Sequence, residues 1–177
     1  MLQESIADPK APVLRPETSA DGPFLLELYA STRQEELDAT GWPAAMKEAF
    51  VRMQFNAQQQ GYRATFARAE FAIILLDNQA SGRIVIDRAE HEFRLVDIAL
   101  LPAHRGRGLG TALVQNLQRE AAAAKMPLRL SVLKGERASQ LYQRLGFQKT
   151  GEAGPRDQLE WRGEEAPQAE AKPCEPA

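Results

Sequence analysis

The sequence is poor in the residues that build disulfide frameworks and metal clusters. Its 177 residues include one cysteine, Cys174, and two histidines. A single thiol excludes an internal disulfide, and such a composition is typical of proteins from a reducing compartment. We therefore expect neither a disulfide-stapled scaffold nor a bound metal.

Long apolar runs are missing as well. The longest uninterrupted one, Phe71–Leu76, has six residues, whereas a helix that spans a bilayer needs ~20. Near the start of the chain, Glu4, Asp8 and Pro9 stand where a signal peptide would be apolar. These absences predict a soluble, cytoplasmic protein that does not associate with membranes.

Neither sign of charge dominates. The chain has 22 Lys and Arg residues against 24 Asp and Glu residues, and its formal net charge is −2. The basic residues alternate with acidic ones and form no stripe. This pattern disfavours nucleic acid and anionic membranes as partners, because both are bound through concentrated positive charge.

The length of the chain fits one domain, which can bury roughly 70% of the surface that the unfolded chain exposes. Residues 1–10 are expected to be a loose lead-in, and residues 11–162 the folded domain. Residues 163–177 carry only small or polar side chains, which bury too little apolar area to offset the chain entropy. We expect this segment to be a disordered tail, with Cys174 as an incidental exposed thiol.

The most informative stretch is the run Arg105–Gly110, which reads Arg-Gly-Arg-Gly-Leu-Gly. An apolar extended segment over 95–101 precedes it, and residues 111–124 follow with apolar residues at helical spacing. A strand, a glycine turn and a helix N-terminus in succession form a cradle for anions, because the unpaired N–H groups of the first helical turn point at the ligand. The sequence thus predicts a ligand that carries a phosphate.

Several families use glycine-rich turns of this kind. The dinucleotide fingerprint is G-x-G-x-x-G, whereas this run reads G-x-G-x-G, and a P-loop needs a Gly-Lys pair that the sequence lacks. The run resembles the R-x-x-G-x-G signature of the GNAT superfamily of acetyl-CoA-dependent N-acyltransferases, filled by Arg105, Gly108 and Gly110. On these residues alone, a glycine turn that merely opens a helix stays the alternative.

A second motif lies about thirty residues further on. Residues 137–147 read as a helix with a glycine stop signal, Gly146, after a short strand over 128–133. They resemble the other signature of the same superfamily, R-A-x-x-L-Y-x-x-x-G-F. Since both signatures occur in the right order and spacing, the chain is identified as a GNAT-type N-acetyltransferase over most of residues 13–162.

This resemblance implies an α/β fold: a single GNAT-type domain with a mixed, mostly antiparallel central sheet of six to seven strands, flanked by about four helices. The implied order is strand, two helices, three strands, helix, strand, helix and two strands. The expected strands cover 11–15, 71–76, 83–87, 92–101, 128–133, 147–151 and 158–162. The expected helices run from a cap at Thr18 or Ser19 to about Leu37, and over 44–60, 111–124 and 137–145; residues 77–82 read as a hairpin turn.

The resemblance also implies acetyl-CoA as the cosubstrate. Its pyrophosphate is expected on the N–H groups of the cradle, where a Cβ at Gly108 or Gly110 would do most harm, while the side chain of Leu109 packs into the core. Its pantetheine arm should bond the main chain of the preceding strand, as an added strand would. Arg107 is read equally well as a solvated loop residue. The expected cofactor-binding residues are Ile98, Ala99, Leu100, Arg105, Gly106, Arg107, Gly108, Leu109, Gly110 and Thr111.

Acetyl transfer to an amine needs a base for the amine and an acid for the departing thiolate. Tyr142 matches the tyrosine often assigned as that acid in GNAT proteins; the alternative is an aromatic ring that only covers its helix face. Asp97, a carboxylate in an apolar strand, is the candidate base, but it reads also as a solvent-facing or ion-paired residue. Glu92 is a weaker candidate. Gly135 stands where the family often has an asparagine, so any contact of that asparagine is in doubt.

In similar folds the first two helices and their connection select the acceptor. The candidate substrate-binding residues are Tyr29, Arg33 and Trp42, although aromatics on amphipathic helices also pack in cores. The expected partner is an unidentified primary amine, and a homodimer is left open. The competing function is a non-catalytic acyl-CoA-binding or regulatory module of the same fold.

Overall fold

The structure, a computed structural model, describes residues 12–163. The predicted lead-in, and the predicted tail beyond Gly163 with its Cys174, lie outside the described residues. The strands are β1 (Val13–Pro16), β2 (Glu70–Leu76), β3 (Gln79–Arg88), β4 (Phe93–Leu100), β5 (Leu128–Leu133), β6 (Gln148–Ala153) and β7 (Arg156–Trp161). The helices are α1 (Gly22–Ala39), α2 (Ala44–Thr65), α3 (Leu109–Ala123) and α4 (Arg137–Arg144). None of the helices in this part of the chain is both long and apolar enough to cross a bilayer.

The strands form one sheet in the order β1-β2-β3-β4-β5-β7-β6. Within residues 12–163, β4 and β5 are the one parallel pair, and the other neighbours are antiparallel. The chain order of strands and helices is the expected one. The predicted fold class, a mixed and mostly antiparallel sheet with four helices, is therefore confirmed.

Helices cover both faces of the sheet. On one face, Ile84 of β3 packs in a core with Leu117 of α3 and Tyr142 of α4. On the opposite face, Leu28 of α1 and Arg83 of β3 line the same small cavity. Consecutive residues of a strand point to opposite faces, so the side chains of Arg83 and Ile84 lie on opposite faces of the sheet. The α1–α2 face and the α3–α4 face thus enclose the sheet between them.

The connection between β2 and β3 is shorter than the predicted turn over 77–82. Asp77 and Asn78 both have left-handed φ angles, 50° and 61°. A two-residue type I′ turn requires this combination, and aspartate and asparagine tolerate it. Because two residues complete the turn, residues 79–82 continue β3 instead.

Helix α2 runs past the predicted end at Gln60 and stops at Thr65. The next residue is Gly61, and glycine has a low helix propensity. The helix nevertheless continues, and the N–H of Phe66 closes its last turn on the Tyr62 carbonyl at 2.8 Å. This extension places Tyr62 on the helix, where its ring lies 5.7 Å from the guanidinium carbon of Arg83 in the sheet.

Strand β4 changes partners along its length. It pairs with β5 only over Phe93–Leu95 among the described residues. Its register with β3 then skips Val96, which is therefore the extra residue of a β-bulge. Beyond the bulge, residues 97–100 keep β3 as their partner and have no pairing with β5. A gap between β4 and β5 follows, and it opens toward the run that begins α3.

The backbone of β4 passes directly over Gly82 of β3. A Cβ on Gly82 would lie 2.3 Å from the carbonyl oxygen of Ala99 and 2.7 Å from Cδ2 of Leu100. Since the nearer atom belongs to the backbone, no side-chain rotation relieves the clash. We expect Gly82→Ala to lower the free energy of unfolding by about 2–3 kcal/mol, as measured by denaturant titration.

Gly61→Ala is the matched control for this prediction. No atom would lie within 4 Å of a Cβ on Gly61, and alanine there replaces a glycine inside α2. This variant should gain about 0.5–1 kcal/mol of stability. A Gly82→Ala protein that is as stable as the wild type would contradict the close approach of β3 and β4.

Candidate functional site

The run after β4 forms an open N-terminal end of α3. Gly106 and Gly108 have left-handed φ angles of 71° and 80°. The N–H of Ala112 donates to the carbonyl of Gly108 at 2.9 Å, so the N–H groups of residues 109–111 precede the helical ladder and have no carbonyl partner within it. A Cβ on any of the three glycines of the run would meet no atom within 4 Å. The run thus has open space where side chains would otherwise stand, next to the three unpaired donors of the first helical turn.

The backbone requires glycine at Gly106 and Gly108, whereas the sequence pointed to Gly108 and Gly110. Gly110 lies inside α3 and has no left-handed φ, so it accepts a side chain on backbone grounds. A need for glycine at that position would come from the close approach of a ligand. The side chain of Leu109 is buried, as expected, so only its main chain is available to a ligand.

Arg105 ties the cradle to the rest of the protein. Its Nε donates to the carbonyl of Leu100 at 2.7 Å, and its Nη2 donates to Oγ of Ser31 on α1 at 3.1 Å. These bonds give Arg105 a structural part that the sequence did not indicate. Arg107, in contrast, is exposed, and no hydrogen bond joins its guanidinium to another residue within 12–163. Of the two arginines, Arg107 has the side chain that is free for an anion.

The main chain of β4 presents alternate residues to the gap. The N–H of Leu101 donates to the carbonyl of Ser81 on the β3 side at 2.9 Å. In an antiparallel ladder, residues two apart turn their main-chain groups the same way. The groups of Ala99 therefore face β3, and those of Ile98 and Leu100 face the gap. Of the three residues predicted to bond a pantetheine arm, Ile98 and Leu100 are thus suitably oriented and Ala99 is not, although the carbonyl of Leu100 already accepts from Arg105.

Tyr142 reaches this region from the α3–α4 face. Its ring is 7% exposed and packs edge-on against Phe147, with the ring centroids 5.6 Å apart. Burial raises the pKa of Tyr142 to about 12, and the negative charges of Asp97 and Glu136 act in the same direction. No hydrogen bond joins its hydroxyl to any residue within 12–163, so the proton is free to be donated elsewhere.

Asp97 approaches from the opposite face. Its neighbour Ile98 packs against the core of α3 and α4, so the side chain of Asp97 points to the α1–α2 face. Its Oδ2 accepts a hydrogen bond from Nη2 of Arg83 at 2.9 Å. Burial raises the pKa of Asp97, and the charge of Arg83 opposes this. The negative charge of Asp97 also acts to raise the pKa of Tyr142.

Glu92, the weaker candidate for a base, lies before the bulge and is engaged elsewhere. It forms ion pairs with Arg94 at 2.7 Å and with Arg129. Arg129 in turn pairs with Glu160 of β7 at 2.6 Å. This network holds β4, β5 and β7 together, so Glu92 acts in the structure as a pairing residue of the sheet.

The predicted acceptor residues separate into two groups. The guanidinium of Arg33 lies 5.6 Å from the ring centre of Tyr29, and both residues line a cavity of about 80 Å³ between α1 and α2. Tyr29 also lines the small cavity beside Arg83 and Ala99. Trp42 is 38% exposed and packs edge-on against Phe50 at 5.4 Å. Tyr29 is therefore the member of this set that borders the Asp97 region.

A wider groove of about 740 Å³ opens between α1 and α2. Apolar side chains line it, among them Leu26, Val51 and Phe55. None of the predicted site residues lines this groove. The predicted site residues therefore lie outside the larger cavity.

Residues 67–149 match the family model of the acetyltransferase (GNAT) domain. The matched part of the chain is a GNAT domain. The matched segment begins just before β2 and ends in β6, so it contains the bulge, the gap, the cradle and both signature motifs. Helices α1 and α2 lie outside the match. No curated protein matches the chain.

Solved structures share the fold of the GNAT domain. PaiA N-acetyltransferase from Thermoplasma acidophilum, in complex with coenzyme A, has a TM-score of 0.64 at 15% identity, with 86% of this chain and 99% of that chain covered. A histone acetyltransferase HPA2 and related acetyltransferase from Corynebacterium glutamicum has a TM-score of 0.61 at 21% identity, covering 89% and 99%. A GNAT family acetyltransferase from Elizabethkingia anophelis with acetyl-CoA bound has a TM-score of 0.55 at 17% identity, covering 85% and 97%. At these identities the likeness establishes the fold.

Two residues beside Asp97, Tyr62 and Arg83, are not among the predicted catalytic and binding residues. Tyr62 fell beyond the predicted end of α2, and Arg83 read as the polar start of a strand. The ring of Tyr62 lies 5.7 Å from the guanidinium carbon of Arg83, the partner of Asp97. Burial raises the pKa of Tyr62 to about 12, and the charge of Asp97 acts in the same direction. A signal for Arg83 was present: two-residue alternation continues the strand through it, which places a charge on a covered face.

Proposed function

We propose that the protein transfers the acetyl group of acetyl-CoA to a primary amine by direct attack of the amine on the thioester. One observation carries the proposal: an anion cradle at the start of α3 adjoins a strand that turns main-chain groups of Ile98 and Leu100 toward a gap. The relatives solved with coenzyme A and with acetyl-CoA support the same cosubstrate. The acetyltransferase family of the matched segment supports the reaction class.

The cradle and the strand suit the two chemically different parts of acetyl-CoA. The pyrophosphate is doubly charged, and the N–H groups of residues 109–111, at the positive end of the α3 dipole, favour an anion. The pantetheine arm carries two amides, which fit the main-chain groups of Ile98 and Leu100 as an added strand would. With both parts bound, the thioester comes to the gap between Asp97 and Tyr142.

The reaction forms a C–N bond, breaks the C–S bond and moves two protons. Asp97 takes a proton from the attacking amine, and the hydroxyl of Tyr142 donates one to the departing thiolate. Asp97 and Tyr142 come from opposite faces of the sheet. The acceptor amine and the thiolate therefore exchange protons with different groups. The pKa of Tyr142, about 12, keeps the hydroxyl protonated at neutral pH.

An acceptor screen tests the proposed function. The full chain is incubated with acetyl-CoA and primary amines of four kinds: small metabolites, aminoglycoside-type antibiotics, peptides with a free N-terminus, and lysine peptides. Free thiol is measured over time. We expect at least one class to accelerate thiol release well above the rate without amine.

The same screen distinguishes the competing function. Coenzyme A binding in a calorimeter, with no acceleration by any amine, would favour a non-catalytic acyl-CoA-binding or regulatory module. Failure to bind coenzyme A would contradict both functions, because both depend on the cradle.

A further inference from the structure

We propose that Arg83 is a positioning residue for Asp97: its buried guanidinium fixes one oxygen of the carboxylate, so that the other oxygen is left to take the proton of the acceptor. The inference rests on the proposed function, in which Asp97 is the base. It adds a residue of β3, outside both signature motifs, to the GNAT site.

In the ion pair between Arg83 and Asp97, the arginine is buried and the aspartate is partly exposed. Nη2 of Arg83 donates to Oδ2 of Asp97 at 2.9 Å, and the exposed fractions of the two side chains are 3% and 24%. No side chain within residues 12–163 forms a hydrogen bond with Oδ1. The buried guanidinium thus holds one carboxylate oxygen of a side chain that is itself partly accessible, and the backbone N–H of Ile98 also stabilises the carboxylate.

The side chain of Arg83 is enclosed by its neighbours in the sheet and on α2. Arg83 pairs with Ala99 of β4, and both line a small cavity under α1 and α2. The ring of Tyr62 lies 5.7 Å from the guanidinium carbon, where it covers the cation. Burying a guanidinium is unfavourable unless it is paired, so its position depends on the carboxylate of Asp97.

Arg88, also on β3, forms ion pairs that serve as a structural comparison for the pair of Arg83. Arg88 also lies beside an aromatic ring, that of Phe93 at 5.8 Å, and it pairs with Glu70 and Glu120. Both of these carboxylates are at least half exposed. They lie at the surface at the other end of β3, away from the gap. Of these two pairs, the one formed by Arg83 opens on the proposed reaction centre.

The charged and titratable groups around Asp97 come from four elements. They are Arg83 of β3, Tyr62 of α2, Tyr142 of α4 and Arg156 of β7. Burial raises the pKa of Asp97, and the two arginines act against it. If Arg83 is replaced by a neutral residue, burial remains and its main opponent is lost. The pKa of Asp97 should then rise, and less of the base is ionised at pH 7.

The direct test is the titration of the Asp97 carboxyl carbon by NMR in the wild type and in Arg83→Gln. We expect the pKa to rise by about one unit or more, since an opposite charge within ~4–6 Å lowers a carboxyl pKa by 1–3 units. The acidic limb of the kcat–pH profile should move upward by the same amount. The KM for acetyl-CoA should stay within about twofold, because the Arg83 guanidinium forms its hydrogen bond with Asp97 and none with the cradle residues within 12–163.

Two further variants complete the test. Arg83→Lys keeps the charge and should hold the Asp97 pKa within about half a unit of the wild type, and Arg88→Gln, the matched control on the same strand, should not move it. An unchanged pKa in folded Arg83→Gln, or an equal rise in Arg83→Lys, would overturn the proposal. If Arg83→Gln does not fold, Arg83→Lys decides alone: a pKa near that of the wild type supports the proposal, and a rise of about one unit overturns it.

The carboxyl titration needs no turnover, so the two proposals fail separately. An Asp97 pKa that responds to Arg83, in a protein that acetylates no amine, would keep the positioning by Arg83 and defeat the transferase function. An active transferase whose Asp97 pKa ignores Arg83 would defeat the positioning alone.

Discussion

Tyr142→Phe is expected to lower kcat by roughly 10²-fold or more, because general acid catalysis contributes 10²–10⁴. The change removes one hydroxyl and keeps the ring, which packs against Phe147 in the core. Since the hydroxyl has no hydrogen-bond partner within residues 12–163, the variant should stay within about 1 kcal/mol of the wild-type stability. Steady-state kinetics with the acceptor found in the screen, together with thermal denaturation, measure both effects.

The affinity for coenzyme A and the pH profile serve as controls for Tyr142→Phe. The affinity should be unchanged, because donation of the proton matters only in the transition state. With the pKa of Tyr142 at about 12, the hydroxyl of the wild type stays protonated at neutral and mildly alkaline pH. Its ionisation should therefore cause no loss of rate below about pH 11. An unchanged kcat in the variant would leave Tyr142 as a core aromatic.

Gly108→Asp is expected to weaken coenzyme A binding by roughly 100-fold or more in calorimetric titration. A carboxylate at this position would face the pyrophosphate and occupy the open space next to the donors of residues 109–111. Loss of two charge-assisted hydrogen bonds at about 1.5 kcal/mol each already amounts to that factor. Near-normal affinity in the variant would remove the cradle from the binding site.

Gly41→Asp is the matched control for the cradle variant. Gly41 has a left-handed φ of 66°, and a Cβ there also meets no atom within 4 Å. Both variants therefore impose the same kind of backbone strain, about 1 kcal/mol for an aspartate in the left-handed region. Both should lose similar stability, and only Gly108→Asp should lose coenzyme A. Equal losses of affinity would assign the effect to backbone strain instead of the anion site.

The order of elements and the two signature motifs could be read from the sequence because both depend on local rules. Helical spacing, glycine at left-handed positions and short apolar strands act within about ten residues. Gly146 with its φ of 82° ends α4 as predicted, and Gly108 with its φ of 80° begins α3. The early predicted end of α2 was a local error as well. The helix continues through Gly61 to Thr65, because the surrounding helical residues outweigh one unfavourable residue.

The arrangement of the site was decided by the tertiary structure. The bulge at Val96 sets which side chains of β4 face α1 and α2 and where β4 leaves β5, and strand pairing of this kind depends on residues far apart in sequence. It brings Asp97 to Arg83 and Tyr62 and leaves Ile98 and Leu100 facing the gap. The sequence by itself determined the family and the position of the anion cradle; only the packing of the sheet determined which side chains meet beside it.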